Sequence, residues 1–162
     1  MDRYFGKRKT LSELEQIVER LREEGRKVVL ANGCFDILHV GHTRYLSAAK
    51  SLGDCLIVAV NSDSSVRELK GPGRPVMDED ARAEIICGLE ATDWVCVFYE
   101  LNVSEFIGRL RPDIQAKGTD YTEDNVPERE MVKSYGGSVA ICGDPKDHAT
   151  KSVIARIRNS AG

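Results

Sequence analysis

The densest run of reactive side chains in this 162-residue chain is Asn32-Gly33-Cys34-Phe35-Asp36-Ile37-Leu38-His39-Val40-Gly41-His42. His39 and His42 are two of only three histidines, and they stand three residues apart. On an opening helical turn that spacing puts both imidazoles on one face. A helix N-terminus already attracts anions through its free amides. Two imidazoles there can donate Nε2–H bonds to oxygens whose charge grows in a transition state. Gly33 lets the backbone approach a ligand with no Cβ in the way, and Gly41 leaves room for phosphate oxygens. The same pair could ligate zinc, but zinc needs further ligands, and no cysteine sits at a neighbouring metal spacing. Spacing alone leaves both chemistries open. Neither GxxxxGK[ST] nor GxGxxG occurs, which removes the two commonest phosphate-binding loops.

These residues need a scaffold, and the chain supplies one. Thr10 and Glu13 form a capping box ahead of Leu11, Leu14, Val18 and Leu21, which recur at helical spacing until Gly25. Lys27–Asn32 is a short, mostly apolar run expected as a buried strand. Gly41–Leu52 is expected as a helix, Cys55–Val60 as a strand, and Asn61-Ser62-Asp63 as a polar loop. Lys70–Met77, with two Gly and two Pro, is expected as a loop that could close over a ligand. Asp78 caps a helix to about Leu89. Strands at Trp94–Tyr99, Ile114–Lys117 and Ser138–Cys142 alternate with helices at Val103–Leu110, Pro127–Ser134 and Lys151–Arg158. Strand–helix alternation with uninterrupted apolar strands predicts a single-domain, doubly wound, Rossmann-like parallel sheet with helices on both faces. In such sheets ligands bind beyond the carboxyl ends of the strands. The expected layout is an N-terminal helical extension over residues 1–26, the sheet domain over 27–158 and a tail over 159–162.

Lys plus Arg number 23 against 26 Asp plus Glu, a net charge of −3. So mild an acidity gives no bulk attraction to nucleic acid or an anionic membrane. Neither partner is expected. Phosphate chemistry must then come from local groups. The five scattered cysteines, with no CxxC pair, suit free thiols in a reducing cytoplasm. No apolar run is long enough to cross a bilayer.

GCFDILHVGH resembles the G-x-F-D-x-x-H-x-G-H signature of the cytidylyltransferase-like nucleotidyltransferases, matching both His, both Gly, Phe35 and Asp36. HxGH also occurs in class I aminoacyl-tRNA synthetases, but the chain is short for one and Thr150-Lys151-Ser152 is only a faint echo of their lysine loop. Within the family, Asn61-Ser62-Asp63-Ser64-Ser65-Val66 and Leu69-Lys70-Gly71-Pro72-Gly73-Arg74-Pro75 are similar to the adenylyltransferase half of ADP-heptose synthases. Arg111-Pro112-Asp113, Lys117-Gly118-Thr119-Asp120-Tyr121, Glu128-Arg129-Glu130 and Tyr135-Gly136-Gly137 extend the likeness from about Lys27 to Arg158. Bifunctional members carry a sugar kinase ahead of this unit, where this sequence has one capped helix. A stand-alone enzyme fed by a separate kinase is therefore expected.

The resemblance implies transfer of AMP from ATP, with Mg2+, to heptose 1-phosphate, releasing pyrophosphate with no covalent intermediate. It implies catalytic roles for His39, His42 and Lys70. Gly33, Cys34, Phe35, Gly41, His42, Gly118, Asp120, Thr150 and Ser152 would line the nucleotide. Asp36, Asn61, Lys70 and Arg74 would line the sugar phosphate, and no side chain is singled out as a metal ligand. Cys34 has no adjacent base and is expected to pack rather than attack. One departure stands out: His148-Ala149-Thr150-Lys151-Ser152 replaces the family's Ser-Thr-Thr, losing a hydroxyl and adding a cation. Alternatives are a cytidylyltransferase acting on glycerol 3-phosphate or another small phosphate, and a nucleotide-binding sensor without turnover. Edge strands in small α/β domains suggest a homodimer.

Overall fold

The computed structural model describes residues 6–145 and 149–160. Helix α1 (Leu11–Glu23) opens on the expected capping box: Thr10 Oγ1 accepts from the Glu13 amide, and Glu13 accepts from the Thr10 amide. Strand β1 (Val28–Gly33) leads through the histidine turn into α2 (Val40–Lys50). Then follow β2 (Cys55–Asn61), α3 (Asp63–Lys70), α4 (Glu79–Cys87), β3 (Trp94–Phe98), α5 (Ser104–Leu110) and β4 (Ile114–Gly118). A 3-10 turn at Glu123–Asn125, α6 (Arg129–Ser134), β5 (Ser138–Cys142) and α7 (Thr150–Ser160) complete the described chain.

Helix α3 was not expected. Ser62 caps it by accepting the Ser65 amide at 3.2 Å, and Gly71 ends it at φ 89°. Only Ser65 and Val66 of its residues are buried. With one apolar residue facing inward there is no hydrophobic period to read, so capping alone announces the helix. Lys70 therefore stands in the last turn of a helix, and the Gly/Pro loop begins after it.

All five strands are parallel, in the order β3-β2-β1-β4-β5. Because neighbouring side chains of a strand face opposite ways, Val28 and Leu30 with Cys55, Ile57 and Ala59 pack beneath α1 and α5. Val29 and Ala31 with Leu56, Val58 and Val60 pack instead beneath α2 and α4. A strand that meets a core on both faces must be apolar at every position, and β2 is buried throughout. The segment expected as an N-terminal extension shares this core. Leu14, Val18 and Leu21 of α1 lie in it, and Lys7–Lys9 bond along the outer edge of β3, the Lys9 amide reaching the Val95 carbonyl at 2.8 Å.

The sheet runs out from β1 in two directions, β2 then β3 one way and β4 then β5 the other. That reversal opens a crevice beyond the carboxyl ends of β1 and β4. The histidine turn leaves β1 at this point.

Candidate active site

His39 is the N-cap of α2, and its Nδ1 accepts the Gly41 amide at 3.2 Å. His42 Nδ1 accepts the His39 amide at 3.3 Å. The two rings stack at 3.9 Å between centroids, 30° apart. With both Nδ1 atoms accepting, each neutral ring carries its proton on Nε2. The turn thus presents two adjacent Nε2–H donors at a helix N-terminus. The Phe35 ring stands edge-on to His42 at 5.5 Å. Phe35 and Ile37 lie at φ 49° and 58°, left-handed conformations that cost a non-glycine residue about 1 kcal/mol or more. A Cβ on Gly33 would meet the Phe35 ring at 3.3 Å, so this glycine makes room for the ring that backs His42.

Asp36 is 2% exposed and fully engaged. Its Oδ2 accepts Arg74 Nε at 2.7 Å and the Val76 amide at 2.9 Å, and its Oδ1 accepts the Met77 amide at 3.0 Å. Burial alone would raise its pKa, but the two amides and the Arg74 guanidinium outweigh it and hold the carboxyl below its usual range. Asp36 and Arg74 thereby pin the Gly/Pro loop against the histidine turn. The Asp36 carbonyl also accepts Thr150 Oγ1 at 2.9 Å, which ties the start of α7 to the same turn. Ser152, two residues further along α7, is exposed. Asn61 is buried, its amide donating to Ser65 Oγ at 3.2 Å.

Arg82 of α4 is 1% exposed and joins four segments. Its guanidinium donates to the carbonyls of Cys34 at 2.5 Å, Asn61 at 2.8 Å and Met77 at 3.0 Å, and to Asp63 Oδ1 at 2.7 Å. Nothing in the helical pattern separated it from an ordinary surface arginine; the only hint was its place on the inward face beside Ala83 and Ile86. Around Cys34 the positive charges of Lys70, Arg82 and Arg74 converge, although burial still raises its thiol pKa. Arg74 and Arg82 are matched by Asp36 and Asp63, so the excess positive charge where β1 ends comes from Lys70. Burial likewise pushes Cys55 and Cys96 up to about 11, so neither is a ready thiolate.

Across the crevice, Lys117 of β4 donates to Asn32 Oδ1 of β1 at 3.1 Å and pairs with Glu128, the N-cap of α6, at 3.3 Å. Gln115 Nε2 also donates to Glu128 Oε2, at 3.3 Å. The turn after β4 closes with the Tyr121 amide on the Gly118 carbonyl at 3.1 Å. Asp120 lies over Gly118 so closely that a Cβ there would come within 3.1 Å of its Oδ1. The sequence points to Gly118 and Asp120 as site residues; Asn32, Lys117 and Glu128 stand in the same motif stretches but receive no role from sequence alone. Lys117 lies near the end of a short strand that also carries polar Gln115, and Glu128 becomes its partner only through the fold.

Among the described residues no group of three or more His, Cys, Asp or Glu is placed to hold a metal ion. Asp36, within the histidine turn, and Asp63 are taken by Arg74 and Arg82. The residues present therefore fit a Mg2+ that arrives on a triphosphate with phosphate and water ligands, not one in a protein cage. No described helix is long and apolar enough to cross a membrane.

Comparison with known proteins agrees with this geometry. The cytidylyltransferase-like family matches residues 30–155. The chain is 46% identical over 144 residues to bifunctional protein HldE of Trichlorobacter lovleyi, which is 89% of this chain and 29% of that protein. It is 45% identical over 154 residues to the HldE of Syntrophotalea carbinolica, covering 95% of this chain and 31% of that one. The chain thus spans just under a third of the length of these relatives. Among solved structures, a lipopolysaccharide core biosynthesis protein from Thermoplasma volcanium aligns at 34% identity and TM-score 0.62, over 72% of this chain and 94% of that one. Pantoate-β-alanine ligase from Francisella tularensis, at 13% identity and TM-score 0.60 over 94% of this chain and 76% of that one, shares the fold. With its parallel sheet, its His39–His42 turn and a match over most of its length, this chain belongs to the cytidylyltransferase-like nucleotidyltransferase family.

Proposed function

We propose that the protein transfers AMP from ATP to a sugar 1-phosphate, D-glycero-β-D-manno-heptose 1-phosphate, giving ADP-heptose and pyrophosphate. The observation that carries the reading is the stacked His39–His42 pair, whose two Nε2–H donors stand at a helix N-terminus within a family that moves nucleotidyl groups. Similarity to the adenylyltransferase part of the bifunctional HldE proteins supports ATP as donor and a heptose phosphate as acceptor. The sugar phosphate is already an anionic nucleophile, so in-line attack on the α-phosphorus needs neither a covalent intermediate nor a strong base. His39 and His42 donate to the α-phosphate and the departing β,γ-oxygens. The amides around Cys34 and Phe35 support the same oxygens, and Lys70 adds its charge from the end of α3. Mg2+ enters as part of the MgATP substrate. Gly118 and Asp120 border the nucleoside, and Thr150 and Ser152 stand at the start of α7 beside the phosphates.

A sugar kinase activity supplies the heptose 1-phosphate, and five free thiols support a reducing, cytoplasmic setting. The protein works as a homodimer. Lys7–Lys9 cover the outer edge of β3, whereas β5 has a single partner strand, which makes β5 the edge open to a second copy.

The test is product identification by mass. The protein is incubated with ATP, CTP or GTP, Mg2+ and a panel of heptose, mannose and glycerol phosphates. ADP-heptose and pyrophosphate in equal amounts are expected. A CDP product on glycerol 3-phosphate would replace this reading with the cytidylyltransferase one, and nucleotide binding without pyrophosphate release would replace it with a sensor.

A further inference from the structure

We propose that Lys117, Glu128 and Asn32, gathered at the topological switch point, form the subsite that recognises the acceptor, Lys117 gripping its anionic phosphate and Glu128 and Asn32 reading its hydroxyls. The inference rests on the nucleotidyl-transfer reading above and specifies which side chains select the acceptor.

The side chains expected to meet the acceptor are already committed elsewhere. Asp36 and Arg74 satisfy one another, and Asn61 is held by Ser65. Lys70 is the exception, but it stands near Cys34 at the end of β1, where the proposed reading puts the triphosphate. The Lys117–Glu128 pair has no such duty. Their side chains are 7% and 6% exposed, so both charges have given up most of their water. A buried ion pair is seldom worth more to stability than apolar residues of the same volume. Its retention at a crevice floor therefore calls for another reason.

The unused bonding capacity defines the ligand. Lys117 has three N–H donors; Asn32 Oδ1 and Glu128 take two, and among the described residues the third faces the Tyr121 ring, 5.2 Å away, with the charge of Asp120 nearby. Glu128 receives both Gln115 and Lys117 on Oε2, leaving Oε1 with no hydrogen bond among the described residues. Buried Gln115 keeps its own Oε1 unpartnered as well, while its amide fixes the orientation of Glu128. An ammonium donor set beside an accepting carboxylate repels a bare polyphosphate as much as it attracts it. The same pair suits a molecule that carries one phosphate and hydroxyls next to it, because a carboxylate accepts hydroxyl protons. A phosphorylated polyol or sugar has that chemistry. Burial also holds the Lys117 pKa below its ordinary value, with Glu128 opposing. An incoming phosphate dianion replaces the charge that Lys117 loses when Glu128 turns to a hydroxyl.

The experiment compares wild type with Lys117→Met, Glu128→Gln and Asn32→Ala. Calorimetry with heptose 1-phosphate, in the presence of α,β-methylene ATP, reads acceptor binding without turnover. A separate titration reads the analogue alone. We expect the acceptor Kd to rise at least tenfold in Lys117→Met and Glu128→Gln and several-fold in Asn32→Ala, while analogue affinity stays within twofold. In turnover, the KM for the acceptor rises and the KM for ATP does not. Unchanged acceptor binding, or equal losses for both ligands, overturns the proposal. Should the two ion-pair variants fail to fold, Asn32→Ala, which leaves the pair intact, decides alone. A wild type that binds the acceptor through Lys117 yet makes no nucleotide sugar would sink the reaction while sparing the subsite. Normal turnover in all three variants would do the reverse.

Discussion

At the residue scale, the two histidines do their work through a proton position that the backbone fixes. Gly41 and His39 amides donate to the two Nδ1 atoms, so each neutral ring carries its proton on Nε2. Replacing either ring by alanine removes one positioned donor from oxygens that gain charge during displacement. Assays of pyrophosphate release should show kcat lower by about 10²–10³ in His39→Ala and in His42→Ala, with the fold intact by circular dichroism. Asp36 makes a different prediction. Its folded pKa lies below its unfolded value, which is ~3.9, so its contribution to stability is complete above roughly pH 5 and is lost as the pH falls through the folded value. Thermal unfolding followed from pH 6 to pH 3 should show a falling Tm. The fall should be shallower in Asp36→Asn, which starts lower because a neutral amide cannot match three donors aimed at a carboxylate.

Elements matter here chiefly for what they hold together. Helix α4 delivers Arg82 to the carbonyls of Cys34, Asn61 and Met77 and to Asp63, and so joins the ends of β1 and β2 to the loop that Asp36 anchors. Arg82→Met would leave the carbonyls of Cys34, Asn61 and Met77 without their donor, that of Asn61 buried, and Asp63 without its cation. The expected loss is about 3–5 kcal/mol, a drop in Tm on the order of 10 °C by differential scanning calorimetry. Activity at low temperature should fall too, because the Cys34–Phe35 peptide would no longer be held toward the phosphates. Helix α3 belongs to the same scale. Its cap and its glycine stop were legible, but its burial of a single apolar side chain left no period to recognise, and Lys70 was accordingly placed on a loop.

The whole molecule is a sheet whose two edges are treated differently. Residues 7–9 lie along β3, while β5 faces outward. Sedimentation velocity at micromolar concentration should show a dimer. Ile141→Lys on β5, at a partly buried position, should shift it toward monomer, whereas Arg8→Glu on the opposite edge should not. A monomer at every concentration would remove the dimer from the proposal.

The local features were written in the chain itself: the capping box at Thr10, the unbroken apolar strands that require two covered faces, and the short-range pairing of His39 with His42. Each depends on neighbours a few residues apart, and such neighbours meet wherever the chain goes. Only the tertiary structure decided that Asp36 clasps Arg74, that Arg82 joins four segments, and that Lys117 meets Asn32 and Glu128. These partners stand 38, 48 and 85 residues apart in their longest-range contacts. A charged side chain in a sequence looks the same whether water or a carboxylate surrounds it, and it is strand order that brings the carboxylate.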